Sequence, residues 1–291
     1  MTSTATDAIV ALVVIGAAIA TLLTVGGPAD APADPDPTLE TLTTGTTTVN
    51  YTLTPDPDAS AVRFGSEDPR FDRRASGAFA ELLAAGALTA ISIDETPVSD
   101  ADKGFQDAVS AAAESVLAPD TQVAVVWRPY PDAHLDARLT VGDTPPPDAD
   151  VSTAATTVPS GMAAVEDDNQ AEGDTELHTA ARADGYEGLS RLLADRIVTG
   201  LFPPERTRLA LRSGGPPAGL TAHRYDQFGD AYGVDLREPV GAYRPMVANE
   251  RLAAGMADRI ETDLREQFDS PTAAARAVEA DRVHVVVRRW G

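Results

Sequence analysis

Residues 99–129 read SDADKGFQDAVSAAAESVLAPDTQVAVVWRP, and this stretch determines the fold class. Its first half carries apolar side chains at helical spacing, namely Phe105, Ala108, Val109, Ala112, Val116 and Leu117. A capping-box pattern at residues 99–102 marks the start of this helix, and Pro119 marks its end. The second half alternates like a strand and collects its apolar residues on one side, at Val123, Val125 and Trp127. The stretch therefore predicts a helix followed by a half-buried strand.

The flanking segments extend this pattern into an α+β fold. Strand patterns occur at residues 49–53, 88–93 and 137–142, a helix pattern covers residues 79–86, and β-branched residues are frequent at residues 151–158. The order strand, helix, strand, helix, strand, strand predicts helices packed on a small mixed sheet. We assign residues 49–158 to this α+β domain.

The rest of the chain is predicted to be mainly helical. Residues 159–178 are rich in acidic side chains and are assigned to an acidic linker. Residues 179–291 carry several apolar stripes at helical spacing, one of them formed by Tyr225, Phe228 and Tyr232. The segment RVHVVVRRW at residues 282–290 alternates, and we expect it to form a final β-strand that returns to the N-terminal sheet.

The N-terminal segment has a different character. Ala8 to Gly27, AIVALVVIGAAIATLLTVGG, contains no charged side chain. Twenty residues in a helix measure about 30 Å, the thickness of the hydrocarbon layer of a membrane. We therefore expect residues 1–27 to hold an N-terminal transmembrane helix with the lipid bilayer as its partner. A cleaved signal, which normally starts with basic residues, and a buried core helix are the alternatives.

Residues 28–48 are rich in proline, threonine and aspartate, and we interpret them as an extended stalk. The positive-inside rule does not decide the orientation, because no Lys or Arg lies within twenty residues of the apolar segment. Stalks of this composition lift domains off cell surfaces, and Asn50-Tyr51-Thr52 matches a glycosylation acceptor. The predicted location is the cell membrane, with a single pass and an extracellular C-terminal part.

Charge restricts the range of partners. The 291 residues include 45 acidic and 23 basic side chains, so the formal net charge is −22. Such a field repels a phosphate backbone, and we expect no nucleic-acid binding. Dense carboxylates with Lys103 as the sole lysine are typical of adaptation to high salt, where the repulsion between carboxylates is screened. The absence of cysteine excludes disulfides and thiol chemistry.

No motif in the sequence indicates catalysis. The histidines His134, His178, His223 and His284 are dispersed and lack the spacing of a zinc site, so each is interpreted as a surface or strand histidine. The sequence contains no G-x-S-x-G elbow, no phosphate loop and no dinucleotide-binding glycines. We therefore predict a protein that is not an enzyme, with no catalytic, cofactor-binding or metal-binding residue and no cofactor.

Three segments carry a resemblance to a known group of proteins. They are MTSTATDAIVALVVIGAAIATLL at the start, VAVVWRPYPDAHLDARLTVG in the middle, and LFPPERTRLALR with FDSPTAAARAVEADRVHVVVRRW towards the end. Together they resemble an uncharacterised family of haloarchaeal single-pass membrane proteins, over nearly the whole chain. The resemblance implies an extracytoplasmic protein that accompanies type IV pilus or secretion machinery, and it assigns no functional residue.

From these features we predict a membrane-anchored protein with a non-catalytic structural or accessory role and with protein partners in a membrane assembly. One alternative is a tethered domain that binds a small solute or a cell-surface polymer. Another is an enzyme whose site the sequence does not reveal. A concave pocket with convergent polar groups favours binding or catalysis, whereas a flat packed surface favours assembly.

Overall fold

The structure, a computed structural model, describes residues 34–53, 72–162 and 176–291. The helices in these residues are α1 (Asp36–Thr44), α2 (Phe79–Thr89), α3 (Lys103–Glu114), α4 (Glu176–Leu201), α5 (Pro204–Ser213), α6 (Gly215–Tyr232), α7 (Arg237–Gly241), α8 (Pro245–Gln267) and α9 (Pro271–Arg276). The strands are β1 (Thr46–Thr52), β2 (Asp72–Ala78), β3 (Ile91–Ile93), β4 (Thr96–Pro97), β5 (Thr121–Trp127), β6 (Leu135–Gly142), β7 (Val151–Pro159) and β8 (Arg282–Trp290).

The strands form a two-stranded hairpin, β1-β2, and a six-stranded sheet in the order β4-β3-β6-β5-β8-β7. Neighbouring strands are antiparallel throughout both sheets in the described residues. The expected mixed sheet is therefore wrong. The reason is that β6 lies between β3 and β5 and runs opposite to both, so these two strands never pair with each other.

The C-terminal strand β8 lies inside the sheet, between β5 and β7. One side of the sheet is closed, and its central valines have no exposed surface, including Val123 and Val125 of β5 and Val285 and Val287 of β8. The prediction that the last strand returns to the N-terminal sheet is confirmed. The sheet thus joins the C-terminal strand to strands from the middle of the chain.

Helices α2 and α3 pack on the closed side of the sheet. Gly86 was expected to end α2, but the helix continues to Thr89 and leaves only residues 91–93 for β3. A Cβ atom at Gly86 would lie 2.8 Å from Val109 Cγ2 of α3 and 3.3 Å from Leu139 Cδ2 of β6. Glycine is present here because three elements approach closely, and not because the helix stops.

The stalk expected at residues 28–48 is also corrected within its described part, since Asp36–Thr44 form a helix. Asp34 Oδ1 accepts a hydrogen bond from the Asp36 backbone N–H, which satisfies a free donor at the helix start. Leu42 has no exposed surface, so the segment contributes to the core. The threonines that suggested an extended stalk bond through their hydroxyls to carbonyls one turn earlier, at Thr41, Thr43 and Thr44.

The second half of the described chain is mainly helical, from α4 to α9. Gly185, with φ at 68°, kinks α4, which is the longest helix and packs along α8. Phe268 lies just past the end of α8 and adopts extended backbone. The expected linker, residues 159–178, starts with the last residue of β7 and ends inside α4, and residues 163–175 lie outside the described residues.

The expected single-pass membrane architecture requires correction. Among residues 34–53, 72–162 and 176–291, no helix has the length and apolar character needed to cross a bilayer. The segment Ala8 to Gly27, on which that expectation rested, lies outside the described residues. The described fold is therefore an α+β arrangement of two sheets and nine helices, without a membrane-spanning helix.

We predict that Gly86→Ala lowers the free energy of unfolding by about 1–2 kcal/mol, because the clash with Val109 outweighs the gain of about 1 kcal/mol in helix propensity. Chemical denaturation measures this change. Val109→Ala removes the clashing methyl group, so the double variant should lose less stability than the sum of the single variants. Gly241→Ala is the control, since a Cβ atom there meets nothing within 4 Å. Additive losses in the double variant would contradict the close approach.

Candidate functional site

The sequence predicted no site residue, and the structure distributes the four histidines over separate elements. His178 lies on α4, His223 is buried on α6, and His284 lies on β8 with Nε2 3.0 Å from Glu279 Oε2. In the described ranges, no three or more His, Asp or Glu side chains gather as they would around a metal ion. The interpretation of His134 as a surface or strand histidine does not hold, because its side chain lies in a loop and is only 2% exposed.

His134 belongs to a buried group that we call the polar clamp, formed by Tyr130, His134, Tyr232 and Asp263. His134 Nδ1 lies 2.6 Å from Asp263 Oδ2, and His134 Nε2 lies 2.9 Å from the Tyr232 hydroxyl. The Tyr130 hydroxyl donates a hydrogen bond of 2.9 Å to the same oxygen of Asp263. The backbone N–H of His134 donates to it as well, at 3.3 Å.

The polar clamp joins three parts of the chain. Tyr130 and His134 lie in the loop between β5 and β6, Tyr232 ends α6, and Asp263 lies near the end of α8. Arg259, one turn before Asp263, extends the contact by donating to Asp94 Oδ1 at 2.8 Å. The backbone N–H of Asp94 in turn donates to the His134 carbonyl at 2.8 Å. The clamp thus attaches the helical half to one end of the sheet.

Burial and hydrogen bonds together determine which groups of the polar clamp are charged. Burial alone would raise the pKa of Asp263, but the hydrogen bonds from His134 and Tyr130 outweigh it and lower that pKa below its usual value. Burial raises the pKa of both tyrosines, Tyr130 and Tyr232, and the nearby Asp263 charge raises them further. Asp263 is therefore an anion that accepts several hydrogen bonds, and both phenols keep their protons at neutral pH.

A carboxylate, an imidazole and a hydroxyl joined in a row by hydrogen bonds also occur in nucleophilic catalysis, where the imidazole activates the hydroxyl. Here the raised pKa of Tyr232 opposes activation of its hydroxyl. The His134 side chain is only 2% exposed, and both of its ring nitrogens contact partners within the protein. The arrangement suits a structural role, in which a satisfied buried network fixes how its elements meet.

Next to the clamp, a surface cavity of about 550 Å³ opens between β3, β6 and the loop that precedes β6. Its lining contains four acidic and two basic residues, namely Asp94, Glu95, Asp132, Asp136, Arg128 and Arg138. Arg138 Nε bonds Asp136 at 2.5 Å, and Asp94 is paired with Arg259. Glu95 and Asp132 have no ion-pair partner among the described residues, so the lining has uncompensated negative charge.

The side of the six-stranded sheet opposite α2 and α3 forms a broad surface, which we call the open face. Strand register aligns its side chains in rows, the central one formed by Thr140, Ala124, Val286 and Ala155. The row beside it contains Arg138, Val126, His284 and Thr157, and the third contains Gln122, Arg288 and Thr153. Apart from the buried Gln122, these side chains are half-buried or exposed, in contrast to the fully buried valines of the closed side.

The open face has an unusual charge for this protein. It carries two arginines, Arg138 and Arg288, and one strand carboxylate, Asp136, which pairs with Arg138 and Arg128, although the chain has 45 acidic residues. Gln122 Oε1 accepts a hydrogen bond of 3.1 Å from Arg288 Nη1, which holds that side chain across the strands. The hydrogen bond to Glu279 raises the pKa of His284, so this histidine gains positive charge more readily.

The comparisons with known proteins identify a family and no further relative. The model of a family of unknown function (DUF7284) matches residues 6–290. No curated protein and no solved structure matches the chain.

We predict that Asp263→Asn lowers the free energy of unfolding by about 2–3 kcal/mol near neutral pH, since it removes the charge that the clamp is built around. Because the pKa of Asp263 is lowered on folding, its contribution exists above the unfolded-state pKa of 3.8 and is lost as the pH falls through the folded-state pKa. Denaturation at several pH values should therefore show the two proteins converging in acid. The control is Asp195→Asn, an exposed carboxylate on α4. Equal stability of Asp263→Asn and the unmodified protein at neutral pH would contradict the structural role of the clamp.

Proposed function

We propose that this protein, which belongs to the family of unknown function DUF7284, is a non-catalytic accessory protein that binds an acidic partner protein through its open face. One observation carries the proposal. In a chain with a net charge of −22, this side of the central sheet carries two arginines against one already paired carboxylate, Asp136, around a centre of small apolar side chains.

The centre of the open face suits the packing of another protein. Ala124, Val126, Val286 and Ala155 are short and apolar, and a helix or sheet can lie about 10 Å above such a surface. Protein interfaces typically combine an apolar centre with arginine, whose guanidinium pairs with carboxylates in a planar, two-bonded geometry. The open face has both features, with the arginines towards its two ends.

Electrostatics favours an acidic partner. Arg138 is 61% exposed and shares Asp136 with Arg128, so its guanidinium remains accessible to an incoming carboxylate. The acidic remainder of this protein repels other acidic surfaces, which leaves the open face as a preferred approach. A pilus-like or secretion assembly of a haloarchaeon, which the resemblance implies, is the first place to look for the partner.

The test is site-specific photocrosslinking in the native cells, with a photoreactive amino acid at Thr140 of the open face. We expect a crosslinked protein of acidic composition. Arg138→Glu/Arg288→Glu should reduce its yield at least about fivefold, because it places like charges across the interface.

Two controls separate the open face from general charge effects. Arg206→Glu/Arg212→Glu changes the net charge equally at exposed positions of α5 and should leave the yield unchanged. Thr262 on α8, also exposed, provides a crosslinking position away from the sheet. Equal loss in both double variants, or equal yield from Thr262, would refute the proposal.

The cavity beside the clamp supports a second candidate function, the binding of a small organic cation. Its volume of about 550 Å³ lies in the range of small-molecule sites. Glu95 and Asp132 line the cavity without ion-pair partners among the described residues, and can accept hydrogen bonds from an ammonium group. Asp136 is engaged by Arg128 and Arg138 and contributes less.

Calorimetric titration with the diamine putrescine tests this candidate, with uncharged butanediol as the control ligand. We expect binding of the diamine alone, and Glu95→Gln/Asp132→Asn should weaken it about tenfold or more, since it removes both charges. Asp107→Asn/Glu114→Gln removes the same two charges at exposed positions of α3 and should have no effect. The same weak heat from both ligands would exclude a cation site here.

A further inference from the structure

The two edges of the six-stranded sheet differ sharply. One edge is β4, which has two residues and ends in Pro97, so it offers little backbone for pairing. The other edge is β7, with nine residues, which pairs with β8 on one side only. Within the described chain, no backbone hydrogen bond satisfies the outer edge of β7. A long row of donors and acceptors is thus available there.

The sequence of β7, VSTAATTVP, lacks the features that normally protect an edge strand. Natural edges carry charged side chains, bulges or interior prolines that prevent pairing with other chains. β7 has no charged residue, and its proline, Pro159, is the last residue of the strand. Five of its nine residues are β-branched, namely Val151, Thr153, Thr156, Thr157 and Val158. A neutral strand of this kind in a chain of charge −22 favours pairing.

We infer that β7 pairs with β7 of a second copy of this chain, in antiparallel register about a two-fold axis at Ala155. This register places Thr153 opposite Thr157 of the other copy, and Ala154 opposite Thr156. Threonine pairs are favourable across strands, and no like charges are opposed. Directly opposite residues point to the same side, so the closed sides of the two sheets continue into each other, as do the open faces.

The self-complementary sequence of β7 favours a second copy as the occupant, because pairing about Ala155 opposes no charged residues. Two copies repel each other over most of their surfaces, and the uncharged β7 is where they can approach to strand-pairing distance. The pairing is isologous, as in most dimers, because the same strand serves both copies. The product is a sheet of twelve strands, six from each copy. This inference is independent of the acidic partner proposed above.

The chain has no cysteine, so a single introduced thiol reports the register. In Ala155→Cys the two thiols meet on the axis, where Cα atoms of opposite residues lie about 4.5–5.5 Å apart, within the range for a disulfide. In Ser152→Cys the thiols are offset by six positions, about 20 Å. We expect mild oxidation to crosslink Ala155→Cys rapidly and Ser152→Cys not at all. Equal crosslinking of the two variants would overturn the register.

Charged residues introduced at exposed positions of β7 give a second test, which measures the reversible dimer equilibrium. Thr153 and Thr157 are exposed in β7, so substitutions there leave the core unchanged. Thr153→Lys/Thr157→Lys opposes two lysine pairs and should weaken the dimer about tenfold, whereas Thr153→Lys/Thr157→Glu creates two ion pairs and should strengthen it. Sedimentation equilibrium of the full chain at high salt measures both, and circular dichroism checks the fold. The pairing would be refuted if the unmodified protein were a monomer at all concentrations, or if the two variants had the same dimer dissociation constant.

Discussion

The position of β8 between β5 and β7 is the constraint on which the rest of the structure depends. Without it, β7 would have no partner in the sheet, and the central row of the open face would be broken. The segment before β8 is fixed by hydrogen bonds from Trp127 Nε1 and Ser160 Oγ to the Ala280 carbonyl, both at 2.8 Å. Because these bonds connect residues more than a hundred positions apart, the complete sheet forms only when the C-terminal segment has returned to the strands in the middle of the chain.

Local patterns predicted the elements in which hydrophobic periodicity is strong. β5 and β8 alternate clearly, and their residue ranges agree closely with the sequence prediction. Helix α3 was also predicted, but it ends at Glu114, so Val116 and Leu117 of the expected stripe lie beyond it. β2 was not predicted, because DRRASGA has polar and small residues on both sides of the strand. Helix α1 was taken for a stalk because its core contact depends chiefly on one residue, Leu42, within a threonine-rich segment. Composition could not reveal that contact.

Neither the clamp nor the open face could be read from the sequence. His134 and Asp263 are 129 positions apart, and no spacing rule links a loop histidine to a helix carboxylate. The sequence suggested the stripe of Tyr225, Phe228 and Tyr232 as core packing, which holds for Tyr225 and Phe228, whereas the hydroxyl of Tyr232 bonds His134. The open face emerges only when strand order is known, because its rows combine residues from four strands.

The clamp also explains why the helices of the described residues do not cover the open face. A buried carboxylate is tolerated only with its hydrogen bonds made, so α8 can dock at the one place where Tyr130 and His134 meet Asp263. That place is the loop at the end of β5, and Gln267 reinforces it by donating to the Asp132 carbonyl at 3.1 Å. Apolar contacts alone would permit the helices to slide onto the valines of the sheet. The polar contacts instead hold the helical half at the sheet's end, away from the open face.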